Sequence, residues 1–356
     1  MKKIFLSALF ALLMSAHTSA VYSQSSPGRV VEDSIYSNVL DDWRRYSVYL
    51  PPAYEPQHRD YPVLYLLHGL SDTHTMWPGR AHLADVMNLL IARGTVCDMV
   101  VISPEAGGDV RTVWNGYFDM PGWPYETFFF TEFLPAVEQR YRIAGDKASR
   151  AIAGLSMGGG GAVAYAQHHS EMFCAVYAMS ALMTIPQRGM IKSENPDDKL
   201  SILTRSVIER DCIRYVREAD EAALDALRTV SWFVDCGDDD FLLDRNIEFY
   251  QAMRDAGVPC QFRVRDGGHV WEYWHSALYI CLPYVSRIFM AGALLAGNRG
   301  RAYLYDCRIS DRIFNPSLAP FCMTCVTRPL TSSTGLGSMR NTGTPRGTYR
   351  SSLAAG

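Results

Sequence analysis

The sequence predicts an α/β protein with a mostly parallel, doubly wound sheet flanked by helices, and two patterns predict it. Short apolar runs without polar alternation recur at residues 63–67, 99–102, 151–153, 175–179 and 231–234, as expected of strands buried on both faces. Segments of helical period, at 81–93, 126–141, 160–169 and 245–256, separate or follow them. Strand and helix therefore alternate along the chain. An earlier strand is expected over 45–50, where Arg45-Tyr46-Ser47-Val48-Tyr49-Leu50 alternates and stops at Pro51-Pro52. The more polar stretch 183–228 reads as a small cap-like insertion or wall at the carboxyl edge of the sheet.

The 356 residues, 48% hydrophobic and 20% charged, suit one large catalytic domain with extensions. A net charge of -3 gives no sign of a nucleic-acid partner or an anionic membrane surface. Lys2 and Lys3, the apolar run 4–14 and the small residues Thr18-Ser19-Ala20 form a signal-peptide pattern, with cleavage after Ala20 and export to the periplasm or medium. The run is too short for a stable membrane span, which needs about 20 residues; so is the apolar stretch 288–296. The expected division is a signal peptide over 1–20, a catalytic domain over 21–296 and an Arg-, Ser-, Thr- and Gly-rich tail over 297–356 without a sustained apolar period. Nine cysteines lack the spacing of a disulfide scaffold, and Cys322-Met323-Thr324-Cys325 has no second pair or nearby His to make a metal site.

Gly154-Leu155-Ser156-Met157-Gly158 matches the nucleophile elbow G-x-S-x-G, in which glycines allow the tight strand-to-helix turn that lifts a serine hydroxyl above a sheet. A serine needs a base, and the base an orienting acid, here in the chain order Ser, Asp, His. His269 follows Gly267-Gly268 at the end of a strand-like segment, 261–265. It is preferred as base to His275, which opens a helical run, because loops at strand ends carry catalytic side chains in open α/β sheets. The acid should be one of Asp238, Asp239 and Asp240, which follow the run ending at Gly237. Oxyanion donors are expected at the backbone N–H groups of Met157, after the nucleophile, and Leu70, at the end of the run 63–67. His68 precedes the nucleophile in the chain and reads as a structural brace for that loop. Trp114 and Tyr117, with Trp123 and Tyr125, are candidates for lining an acyl or sugar pocket.

Five stretches together resemble the esterase D family of α/β-hydrolases, across roughly residues 30–290: 46–51, 62–70, 154–159, 236–242 and 267–269. That family includes feruloyl and acetyl-xylan esterases, S-formylglutathione hydrolases and mycolyltransferases. The resemblance implies the α/β-hydrolase fold, Asp240 as the acid in the Gly-x-x-Asp-Phe-Leu pattern, and Leu70 and Met157 as oxyanion donors. It implies ester hydrolysis through an acyl-enzyme, with no cofactor or metal, on a small-molecule or polysaccharide-linked ester. An acyltransferase or a thioesterase would use the same triad, and a silent binding module would have no use for it.

Overall fold

A computed structural model describes residues 26–52, 54, 59–185 and 195–295. The signal peptide, the tail and the Cys322/Cys325 pair lie outside these residues. In chain order the strands are β1 (Arg29–Ser37), β2 (Asp42–Leu50), β3 (Val63–Leu67), β4 (Val100–Pro104), the small hairpin β5 (Asp119–Met120) and β6 (Trp123–Pro124), then β7 (Arg150–Leu155), β8 (Ala175–Met179), β9 (Ser231–Gly237) and β10 (Cys260–Arg265). Eight of them form one sheet in the order β1-β2-β4-β3-β7-β8-β9-β10. Within it only β2 runs against its neighbours, and every other pairing is parallel.

Both faces of the sheet are covered, which is why its central strands are continuously apolar. Along β3, Val63, Tyr65 and Leu67 enter one core while Leu64 and Leu66 enter the other. The helices Met157–His168 and Leu243–Asp255 close the first core, and Leu83–Ala92 and Trp271–Leu295 close the second. Leu83–Ala92 shows how: Leu83, Val86, Met87 and Leu90 fall at helical spacing and are all buried.

Three elements differ from expectation. β1 is an edge strand carrying Arg29, Glu32 and Asp33, and its half-exposed pattern gives no apolar run to read. The helix expected over 126–141 is interrupted by a π-helical turn, Phe129–Phe133, between Tyr125–Phe128 and Leu134–Arg140. The stretch 288–295, expected to be a short apolar segment, is the end of a 25-residue helix that runs through Pro283. By length and composition that helix could cross a membrane. Its Ala277, Leu278, Cys281, Leu282, Val285 and Phe289 instead fill the second core.

The polar stretch contains three short helices, Lys199–Glu209, Cys212–Glu218 and Glu221–Arg228. Each starts at an aspartate, Asp198, Asp211 and Asp220, whose carboxylate accepts first-turn N–H groups. Gln167 and Tyr215 hydrogen-bond between Met157–His168 and the second of them, and Lys199 Nζ donates to Thr112 O at 3.1 Å. The insertion is thus a side wall.

Candidate active site

Two glycines make the turn at Ser156 possible. A Cβ on Gly154 would sit 2.3 Å from Gly158 O, and one on Gly158 would sit 2.4 Å from His68 O. Ser156 itself has φ 54° and ψ −119°, a sparsely populated conformation costing on the order of 1–3 kcal/mol. Its backbone is held on both sides. Ser156 N donates to Met179 O at 2.9 Å, and Ser156 O accepts from Gly160 N at 3.0 Å and Leu182 N at 2.8 Å.

The loop after β10 brings His269 to this hydroxyl, with Nε2 3.0 Å from Ser156 Oγ. Nδ1 faces Asp240, 2.9 Å from Oδ2 and 3.1 Å from Oδ1. The two loops are laced together, since Asp238 N donates to Arg265 O and Asp239 N to Gly267 O, each at 3.0 Å. Of the three aspartates only Asp240 points inward, at 5% exposure. Asp238 is exposed and accepts from Gly267 N at 2.9 Å, and Asp239 is exposed too. Burial pushes the Asp240 carboxyl up, but hydrogen bonds from His269, Ser180 and the Leu242 N–H outweigh it and leave it below the ordinary carboxylate range. An ionised Asp240 accepts a hydrogen bond from Nδ1–H, which leaves Nε2 free to accept from the serine hydroxyl. His275 lies elsewhere, with Nδ1 2.8 Å from Ala81 O.

Gly69 lies against the nucleophile: a Cβ there would be 3.7 Å from Ser156 Cβ. The N–H groups of Leu70 and Met157 donate to no other protein group among the described residues. Met157 opens its helix, so its N–H has no intrahelical partner. His68 braces this loop from beneath, fully buried, with Nδ1 2.8 Å from Gly69 O and Nε2 accepting from Ala106 N at 3.0 Å.

Tyr117 is 1% exposed and donates to His68 O at 3.0 Å, so it supports the loop from the core and does not face an open pocket. Trp114 is half-buried and lines a separate cleft of about 470 Å³ with Thr73, Glu105, Trp123 and Lys199, the last 5.7 Å above its ring. Sequence reasoning did not single out Asp72, which accepts from Gly69 N at 3.2 Å, or Ser180, whose Oγ accepts from Trp274 Nε1 at 3.1 Å. The signal for both was position, one on the loop of Leu70 and one directly after β8. Asp238, Asp239 and Asp266 place carboxylates within 4.8 Å of one another at the surface, where a cation could bind; no step below uses that cluster.

The sheet order, the elbow and the hydrogen-bonded Ser-His-Asp chain define an α/β-hydrolase fold. The sequence profile of the esterase family matches residues 37–284, and the chain belongs to that family of carboxylic ester hydrolases. A solved ferulic acid esterase is 63% identical, superposes with a TM-score of 0.72 and aligns over 74% of this chain and 99% of its own. The endo-1,4-beta-xylanase/feruloyl esterase of Xylanibacter ruminicola is 30% identical over 137 residues, 37% of this chain and 19% of that protein. An esterase of Mycobacterium tuberculosis is 24% identical over 250 residues, 64% of this chain and 52% of that protein. The chain thus spans between about a fifth and about half of these two relatives. An S-formylglutathione hydrolase from Agrobacterium tumefaciens, 19% identical with a TM-score of 0.56, shares the fold.

Proposed function

We propose that the protein is an exported serine esterase that cleaves acyl esters of carbohydrates, feruloyl or acetyl, through an acyl-enzyme. The observation that carries the reading is the unbroken hydrogen-bonded chain from Ser156 Oγ through His269 to Asp240. In the first step His269 Nε2 takes the hydroxyl proton as Oγ attacks the ester carbonyl, and the Leu70 and Met157 N–H groups receive the oxyanion. His269 then gives the proton to the departing alcohol. In the second step it deprotonates a water that attacks the acyl-enzyme, releasing the acid and restoring Ser156.

The apolar run 4–14 supports export. The substrate class rests on the relatives described as feruloyl or ferulic acid esterases. Exposed apolar side chains at Leu70 (38%), Phe241 (63%) and Val270 (47%) stand beside the site, which suits an aromatic acyl group better than acetyl. The test is a panel of acetyl, butyryl, feruloyl and thioester substrates, with and without an alcohol acceptor, on the wild type and Ser156→Ala. Feruloyl or acetyl sugar esters should be the best substrates, with water as acceptor and at least about 10³-fold lower turnover in the variant. Preference for the thioester, transfer to the alcohol, or full activity in Ser156→Ala would each overturn the corresponding part.

A further inference from the structure

The loop that carries His269 is tied at both ends to one buried carboxylate. It leaves β10 at Arg265 and rejoins the fold at Tyr273, in the first turn of the helix Trp271–Leu295. Asp235, on the neighbouring strand β9 and fully buried, accepts hydrogen bonds from both. Arg265 Nε donates to Oδ1 at 3.1 Å and Nη2 to Oδ2 at 3.2 Å, and the Tyr273 hydroxyl donates to Oδ1. The Tyr177 hydroxyl, which comes from β8 and not from the loop, donates to Oδ2 at 2.5 Å. A carboxylate offers about four lone-pair sites, so these donors use Asp235 fully. Burial pushes both phenols above their ordinary range, so they stay protonated and donate.

The two ends of the loop also meet each other. The Arg265 guanidinium lies 4.1 Å above the centre of the Tyr273 ring, and its Nη1 donates to Ser276 Oγ at 2.8 Å, which in turn donates to Tyr273 O at 2.7 Å. Between them the loop backbone rests on that ring: a Cβ on Gly267, whose φ is 134°, would be 2.7 Å from Tyr273 Cδ2. We propose that Asp235 is a positioning residue for His269, a clasp that joins the two ends of its loop and keeps Nε2 within reach of the Ser156 hydroxyl. The inference rests on the triad reading above, and Asp235 acts through the loop alone. Losing the bond at one end leaves the strands in place but lets the loop take up other orientations, and a displacement of about 1 Å at a reacting group can cost about 10²-fold in rate. An ion pair that only stabilised the core would respond alike to loss of either tyrosine hydroxyl. A clasp responds only to the one on the loop.

The experiment measures kcat and KM for p-nitrophenyl acetate, together with the melting temperature, in the wild type, Tyr273→Phe, Tyr177→Phe and Arg265→Lys, with Ser156→Ala as control. Tyr273→Phe and Arg265→Lys should each lose about tenfold in kcat with KM within about twofold, because His269 serves both steps of the reaction while the substrate surface is untouched. Tyr177→Phe deletes a hydrogen bond to the same carboxylate from outside the loop. It should melt lower, as Tyr273→Phe does, yet keep kcat within about twofold of wild type. Wild-type kcat in Tyr273→Phe, or an equal loss of kcat in the two tyrosine variants, overturns the proposal. If Tyr273→Phe does not fold, wild-type kcat in folded Arg265→Lys overturns it. Full turnover in Ser156→Ala would instead refute the triad reading.

Discussion

Acid should weaken this fold through one buried imidazole. His68 uses both ring nitrogens as a neutral group, accepting from Ala106 N at Nε2 and donating from Nδ1 to Gly69 O. Protonation would place a second N–H against the Ala106 donor and a charge in a fully buried site. Burial accordingly pushes its pKa from 6.5 down to about 4. The unfolded chain takes up the proton near 6.5 and the folded chain only near 4, so this contribution to stability is complete above 6.5 and is lost as pH falls through that window. At about 1.36 kcal/mol per pH unit, the interval from 6.5 to about 4 amounts to about 3 kcal/mol. Urea unfolding at about pH 7, 5.5 and 4 would measure it against His68→Gln, whose amide does not titrate. The variant should be less stable at neutral pH, yet lose about 3 kcal/mol less than the wild type on acidification to about pH 4. Equal pH slopes in the two proteins would refute the argument.

Asp240→Asn should reduce kcat by at least about 10²-fold, since an amide favours the wrong imidazole tautomer, an exchange that costs about 10⁴ in a serine protease. Asp238→Asn and Asp239→Asn should each stay within about tenfold of wild type; a large loss in either of them and not in Asp240→Asn would move the acid within the loop. Gly158→Ala should cost about 3 kcal/mol or more, because its Cβ would meet β3 backbone that cannot step aside, and thermal melting would show it. Gly79→Ala is the control, an exposed position of the short helix Met76–Arg80 with nothing within 4 Å of an added Cβ; it should be neutral or stabilising by up to about 1 kcal/mol.

The central strands were legible because burial on both faces leaves only apolar residues, as in β3 and β8. β1 was not, because an edge strand with one half-exposed face keeps its charges. The terminal helix was seen only in pieces, its start near His275 and its apolar end after 288, because Pro283 breaks the local pattern where tertiary packing carries the helix through. At the candidate site, Ser156 and His269 were singled out from their glycine-rich surroundings, and the structure brings them within hydrogen-bond distance. The candidate acid was narrowed to three adjacent residues by position, and the resemblance chose among them; the structure supplies the direction of each side chain, which spacing does not contain. Ser180 and Trp274 escaped because the hydrogen bond between them joins elements far apart in the chain, and no local motif records it.

Leu70, Phe241 and Val270 share one arrangement. Phe241 directly follows Asp240 and Val270 directly follows His269, while Leu70, the proposed oxyanion donor, directly follows Gly69 and exposes its side chain to solvent. Under the proposed function, chemistry and substrate choice would be written in adjacent letters of the sequence. Mutation at these three positions could redraw the shape offered to a ligand while the backbone beneath kept the reacting groups in register. A lineage could then explore new esters by single substitutions without first passing through an inactive protein.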